Sequence, residues 1–294
     1  MKIIVTGSLG NISKPLTQSL VQQGHEVTVI SSKADKQNDI EAIGAIAAIG
    51  SIDDVNFLTE TFTGADAVYC MIPPNFAVAN QVDYYSKVGS NYAKAIAQSG
   101  VKRVVDLSSY GAHLGKGTGF IVGSYHVEQI LNALSNVSVT HIRPGYFYYN
   151  FLHLIGMIQT HGFIASNFGD DDKLAMASPV DIAEAIAAEI VKPASEKKVR
   201  YVVSDDKTCN EISSILGKAI GNADLQWKTF TNEQVQTAME ARGMSAATAA
   251  TMVELGDATH KGLLREDYDL QKPTEMGKVK IEDFTKEFAI AFNK

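Results

Sequence analysis

From the first residue to about residue 142 the sequence alternates short apolar runs with longer stretches of helical period. That alternation constrains the fold more than any other feature. Residues 2–6 read as a buried strand, after which Ile12, Leu16, Leu20 and Val21 share one face at helical spacing. Gln23-Gly24-His25 ends that helix, and 26–30 is the next strand. A third apolar run, 45–49, follows a short helix; 54–62 is helical, and 67–72 is a fourth strand that Pro73-Pro74 stops. A helix over 78–99 keeps Val82, Tyr85, Val88, Tyr92, Ile96 and Ala97 on its apolar side, and Gly100 closes it. Strands over 103–107 and 137–142 flank a helix over 123–134. Strand–helix–strand units of this length require parallel pairing and right-handed crossovers. Near-continuous apolar strands fit a sheet covered on both faces. The expected fold class is therefore α/β, a doubly wound parallel sheet.

After Pro144 the alternation fades. A helix over 180–191 and a strand over 201–203 follow, and from about residue 208 the pattern is mostly helical, over 211–220, 232–242, 246–255 and 281–292. The expected organisation is a nucleotide-binding domain over 1–204, with 151–178 contributing to a substrate cleft, and a smaller, mostly helical substrate or cap domain over 205–294. There is no internal repeat and no low-complexity linker.

Composition excludes several classes. Hydrophobic residues make up 45% and charged residues 20%, as in an ordinary globular enzyme. The net charge of −7 argues against nucleic acid, which wants a basic face. Two cysteines, Cys70 and Cys209, make no disulfide framework or metal knuckle and read as buried apolar side chains. The opening apolar run of three residues is too short for a signal peptide, and no stretch reaches membrane-span length. A cytoplasmic location is the default expectation. His113, His126, His153 and His161 lack metal-ligand spacing, so no metal is expected. Asp170-Asp171-Asp172 reads as a solvated acidic loop.

The chemistry starts where the first strand runs into Gly7-Ser8-Leu9-Gly10-Asn11-Ile12-Ser13. A glycine turn between strand and helix aims backbone N–H groups at an anion. Gly7 allows the tight turn, Gly10 lets a pyrophosphate approach the main chain, and Ser13 is the small residue that lets helix and strand pack closely. Pro15 sits in the first helical turn, where its missing N–H costs little. In this context the loop reads as a dinucleotide site on a Rossmann fold, with Thr6, Gly7, Leu9, Gly10, Asn11, Ile12, Ile72 and Pro73 around the cofactor.

The second strand decides which dinucleotide. An acid at its tip would hold both ribose hydroxyls of NAD. Here the strand ends Val29-Ile30-Ser31-Ser32-Lys33, and Asp35 comes later. Two hydroxyls and an ammonium suit a 2′-phosphate that a carboxylate would repel. Ser31, Ser32 and Lys33 thus favour NADP(H) over NAD(H), although a lysine in a loop is also commonly just a solvated charge.

Loops at the carboxyl ends of the strands carry the remaining candidates. Ser108 and Ser109 are candidates to hydrogen-bond the nicotinamide or a substrate oxygen; a serine-rich turn is the plainer reading. Asn75 and Phe76, Tyr110, and Phe147, Tyr148, Tyr149 and Asn150 offer a flat pocket for a small aromatic substrate; core packing suits the aromatic residues equally well.

Together these features resemble the NmrA-like group of atypical short-chain dehydrogenases. The resemblance rests on Thr6-Gly7-x-x-Gly10, Asp106-Leu107-Ser108-Ser109, Glu128, Arg143-Pro144-Gly145-Tyr146-Phe147, Asn150 and Pro179-Val180-Asp181-Ile182-Ala183, spread in the family's order over about 180 residues. The tail after residue 205 carries little of it. The wider superfamily transfers a proton through a Tyr-x-x-x-Lys pair, often with a glutamate four residues beyond the lysine. If Glu128 is that glutamate, Ser124 takes the lysine position and Phe120 the tyrosine position. Phenylalanine transfers no proton and serine carries no charge, so the usual pair is expected to be missing. Tyr125 has Gln129, not lysine, four residues on; it and Ser108 are the weak catalytic candidates. The resemblance implies an NAD(P)H-dependent reductase of electron-poor small molecules such as quinones or azo compounds. The alternative it implies is a non-catalytic regulator that senses the cofactor's redox state and passes it to a protein partner. A sugar epimerase is disfavoured by Phe120 and Ser124.

Overall fold

The structure, a computed structural model, describes residues 1–75, 77–194 and 196–294. β1 (Lys2–Val5) leads through α1 (Ser13–Gln22), β2 (Glu26–Ser31), α2 (Gln37–Ala42), β3 (Ile46–Ile49), α3 (Val55–Phe62), β4 (Ala67–Cys70), α4 (Gln81–Ser99), β5 (Arg103–Leu107) and α5 (Ile121–Asn132) to β6 (Ser138–Pro144). These are the pairs that the alternation demands. Their ends have local causes. Asp54 and Asn80 each accept two backbone N–H groups at the starts of α3 and α4, and Gly100, at φ 80°, ends α4 in the left-handed region.

The later chain continues through β7 (Tyr146–Phe147), α6 (Ile155–His161), β8 (Ile164–Ser166), β9 (Lys173–Ala177), α7 (Pro179–Ile190), β10 (Lys198–Val202), β11 (Asp205–Thr208), α8 (Cys209–Ala219) and β12 (Trp227–Thr229). It ends with α9 (Asn232–Ala241), α10 (Ala246–His260), α11 (Glu266–Leu270) and α12 (Ile281–Phe292).

A seven-stranded sheet has the order β10-β6-β5-β4-β1-β2-β3. The pairings of β1 with β2 and β4, of β2 with β3, of β4 with β5 and of β5 with β6 are all parallel. The order reverses beside β1, so a crevice opens past the ends of β1 and β4, where doubly wound sheets bind ligands. Every residue of β4 is buried, whereas Ile46 and Ile49 of β3 are exposed. The expected cover on both faces holds for the central strands and fails at this edge.

The chain divides into two compact units. One comprises Met1–Ser109, Gly123–Arg143 and Ile182–Arg200; the other comprises Tyr110–Val122, Pro144–Asp181 and Tyr201–Lys294. Neither is one continuous span of sequence, in contrast to the expected 1–204 and 205–294. In the first unit Ile4, Val68, Val104 and Val139 carry the core across four strands, against Leu58, Phe62, Val88, Ile96 and Leu131 of the helices. Each such side chain stabilises the fold by about 1.5–3 kcal/mol. Cys70, in this core, and Cys209, in the other, are free and buried, as expected.

The second unit is mixed rather than mostly helical. β9 lies between β11 (antiparallel) and β7 (parallel), and β12 pairs with β8. These strands are two to five residues long, mostly too short for a legible period of two. Their core joins Tyr148, Phe151, Trp227, Phe284 and Phe288. Asp181 pins the segment that enters α12: it accepts Ser204 Oγ (2.6 Å) and the N–H groups of Lys278 (3.0 Å) and Val279 (3.1 Å). The acidic loop is braced as well as solvated, through Thr229 to Asp170 (2.6 Å) and His260 to Asp172 (2.8 Å). Among the described residues no helix is long and apolar enough to cross a membrane, and no group of three His, Cys, Asp or Glu side chains could hold a metal.

Candidate functional site

The turn after β1 is built as the glycines demand. Gly7 has φ 89°, and a Cβ there would come within 2.7 Å of Met71 Sδ and Ser13 Oγ. Ser13 is buried and donates to Thr6 O (2.9 Å), so the third small residue locks helix to strand. Ser8 takes φ 53°, and its N–H bonds Ile30 O (3.0 Å), which ties the loop to the end of β2. At Gly10 a Cβ would meet only Gly7 O, at 3.2 Å. That face of the loop is open, as a cradle for a pyrophosphate must be. No side chain caps α1, but the Lys14 N–H bonds Gly10 O (2.9 Å) and Pro15 carries none, so the helix start offers an anion little beyond Ser13.

A cleft of about 840 Å³ runs from this loop past the end of β2 to Gly50, Asp53 and Tyr84. Gly7, Leu9, Gly10, Ser31, Ser32, Lys33 and Pro73 all line it. Ser31 is buried and bonds Ser8 Oγ (3.0 Å) and Lys33 N (3.2 Å), so it braces the loop, while Ser32 and Lys33 are exposed. Asp35 is not among the lining residues. Asp39 is, but it holds Lys36 at 2.9 Å, and Lys36 Nζ is pushed up from its usual pKa by that bond. At the far wall Asp53 pairs with Lys87 (2.7 Å).

Past β5 and β6 the polar groups are paired inside the protein. Ser108 is buried and donates to Glu128 Oε1 (2.5 Å); Arg143 donates Nε to the same oxygen (2.9 Å) and Nη2 to Oε2 (2.6 Å). One step earlier on the same strands Asp106 meets His141 Nδ1 (2.9 Å), and His141 Nε2 meets Asn132 Oδ1 (3.1 Å). Burial pushes the Asp106 carboxyl up, and His141 partly offsets this. Glu128 and Asn132 are four apart on α5, so one face of that helix is fastened to the sheet twice. Tyr92 and Tyr85 of α4 donate to Met71 O (2.8 Å) and Ile72 O (3.2 Å), fixing the chain beyond β4; burial pushes Tyr85 up to about 12. Asn75 turns on itself, accepting Ala77 N at its side chain (3.1 Å). On α5 Ser124 is buried, and Tyr125 is half-buried beside His126.

In the second unit the aromatic candidates separate. Phe147, Tyr149 and Asn150 are half-buried, with the two rings 5.1 Å apart. Tyr148 is 1% exposed and donates to Asp205 Oδ2 (2.9 Å) and Val279 O (3.1 Å). Tyr110 is 7% exposed, edge-on to Tyr268. Both are core side chains and offer a ligand no open face.

Residues 1–284 match the NmrA-like family. The chain belongs to the NmrA-like family. It is 24% identical over 261 residues to the NAD(P)H azoreductase of Xenophilus azovorans, covering 86% of this chain and 85% of that one. Two solved structures share its fold. The NADPH-dependent quinone oxidoreductase of Escherichia coli, complexed with NADPH, superimposes with a TM-score of 0.82 at 20% identity, over 97% of this chain and 99% of the other. The triphenylmethane reductase of Citrobacter sp. gives 0.81 at 18% identity, over 99% and 100%.

For this NmrA-like chain the loop residues and the end of β2 come together as the sequence suggests. Thr6, Ile12, Ile72 and Ser108 are buried behind that surface and do not line the cleft, and Asn11 is exposed outside it. Phe76 lies outside the described residues. Sequence reasoning missed Lys14, Lys36, Asp53 and Tyr84, which reach the cleft from four different segments. Only Lys14, in the first turn after the loop, carried a local signal.

Proposed function

We propose that this chain is an NADPH-dependent reductase of electron-poor small molecules, with quinones and azo compounds as the substrate class. The cofactor supplies the hydride. The observation that carries the reading is the cleft that joins the open face at Gly10 to Ser32 and Lys33, with no carboxylate at the tip of β2. Backbone N–H groups of the loop would hold the pyrophosphate, and Lys33 would meet a 2′-phosphate. The azoreductase, the quinone oxidoreductase and the triphenylmethane reductase named above support the same reading.

The chain's own acid–base groups decide which acceptors it can serve. With Glu128 read as the superfamily's glutamate, Phe120 and Ser124 take the places of its Tyr/Lys pair; phenylalanine transfers no proton and serine carries no charge to lower a neighbour's pKa. The Ser108 proton is committed to Glu128. An acceptor that takes hydride without prior protonation needs no such donor, whereas an unactivated ketone forgoes an acid contribution of about 10²–10⁴-fold. NADPH oxidation against a panel of quinones, azo dyes and simple ketones tests this. Turnover of quinones or azo dyes with little ketone reduction is expected. Turnover of none would sink the enzyme and favour a cofactor-sensing regulator.

A further inference from the structure

Lys14 lines the cleft together with Gln18, one turn farther along the exposed flank of α1. Ser32, Lys33 and Lys36 line the same cleft from the segment after β2. The loop that leads into α1 is tied to the end of β2, because the Ser8 N–H bonds Ile30 O and the Ser8 hydroxyl bonds Ser31 Oγ, both at 3.0 Å. Of the three ammonium groups, Lys36 is taken by Asp39. Among the described residues neither Lys14 nor Lys33 has a carboxylate partner within ion-pair distance.

A second observation makes Lys14 unusual. It stands in the first turn of α1, which contains no acid. A cation there opposes the helix dipole, so the position is locally unfavourable unless an anion is to come. A residue that breaks a local rule without compensation inside the fold points to a ligand. The Lys14 N–H already bonds Gly10 O (2.9 Å), and its neighbour in the cleft, Gln18, leads away from the loop. The pyrophosphate has the loop N–H groups; the space between Lys14 and Lys33 is left for the group on the adenosine ribose.

We propose that Lys14 is a second reader of the cofactor's 2′-phosphate, together with Lys33. This rests on the dinucleotide reading above and deepens it. A phosphate monoester carries about −1.5 to −2 charges at pH 7. One ammonium does not neutralise that, and two do.

Fluorescence titration of wild type, Lys14→Ala, Lys14→Arg and Lys33→Ala with NADPH and with NADH tests it. Lys14→Ala is expected to weaken NADPH about tenfold, as for loss of one charge-assisted bond, with NADH affinity nearly unchanged. Lys14→Arg is expected to keep the preference. Equal weakening of NADPH and NADH would place Lys14 on the pyrophosphate and overturn the proposal, as would no weakening of either. A wild type that binds neither dinucleotide would overturn the dinucleotide reading itself and this proposal with it. Lys14 is exposed, and circular dichroism checks that each variant is folded.

Discussion

Two ends of the same parallel sheet treat their polar groups in opposite ways. Beside β1 and β2 they face outward: the open side of Gly10, Ser32, Lys33 and Lys14 border a cleft. Beside β5 and β6 they face one another: Ser108 and Arg143 both bond Glu128, and His141 bonds both Asp106 and Asn132. Both regions were singled out by the same kind of sequence signal, a polar motif just after an apolar strand. The difference teaches that such a motif does not by itself announce a ligand site. Open polar groups await a partner; groups that satisfy each other under a helix hold the scaffold in place.

The comparison can be broken most sharply at Gly10. Gly10→Val is expected to abolish binding of NADPH and NADH while circular dichroism shows an intact fold, because the branch would occupy the open face and not the core. Retained binding in a folded variant would mean that the outward-facing end is not the phosphate site. At the inward-facing end the expected pattern is reversed. Glu128→Ala leaves Arg143 buried without its carboxylate, a loss of about 3–5 kcal/mol for breaking a buried pair, read from urea unfolding. A near-neutral result would show that water reaches Arg143 and that the group is not closed.

Lys33→Ala is smaller and selective: NADPH is weakened by about 1–3 kcal/mol and NADH is spared in calorimetric titration. An equal fall for both dinucleotides would remove Lys33 from the 2′-phosphate. Tyr125→Phe is the smallest. It deletes the half-buried phenol on α5, and kcat for a quinone should change less than about tenfold. A fall beyond about a hundredfold, the scale of a true general acid, would make Tyr125 the proton donor and shift the motif register that places Phe120 and Ser124.

The parallel sheet was legible because its strands are apolar throughout and separated by whole helices, a pattern with few solutions. The short strands β7, β8, β11 and β12 were not, because two to four residues carry no period. The glycine loop after β1 was legible for a different reason: glycine at a strand-to-helix turn marks where backbone can approach an anion. The aromatic run at 146–149 shows the limit. Adjacent residues in one short motif have different fates, Tyr148 in the core against Asp205 and Phe147 and Tyr149 half-open, and nothing local distinguishes them.

By itself, then, the sequence determined the fold class, the glycine turn between β1 and α1 and the absence of an acid at the tip of the second strand, since each of these is written in contiguous residues and obeys short-range geometry. Only the tertiary structure decided which polar side chains look outward and which close on each other. Ser108 is turned to Glu128 across 20 positions and Asp181 to Val279 across 98, and Lys14 is brought to the cleft that Lys33 also lines. Pairings of that kind depend on how separate strands and helices pack, and burial penalises any polar group left without its partner.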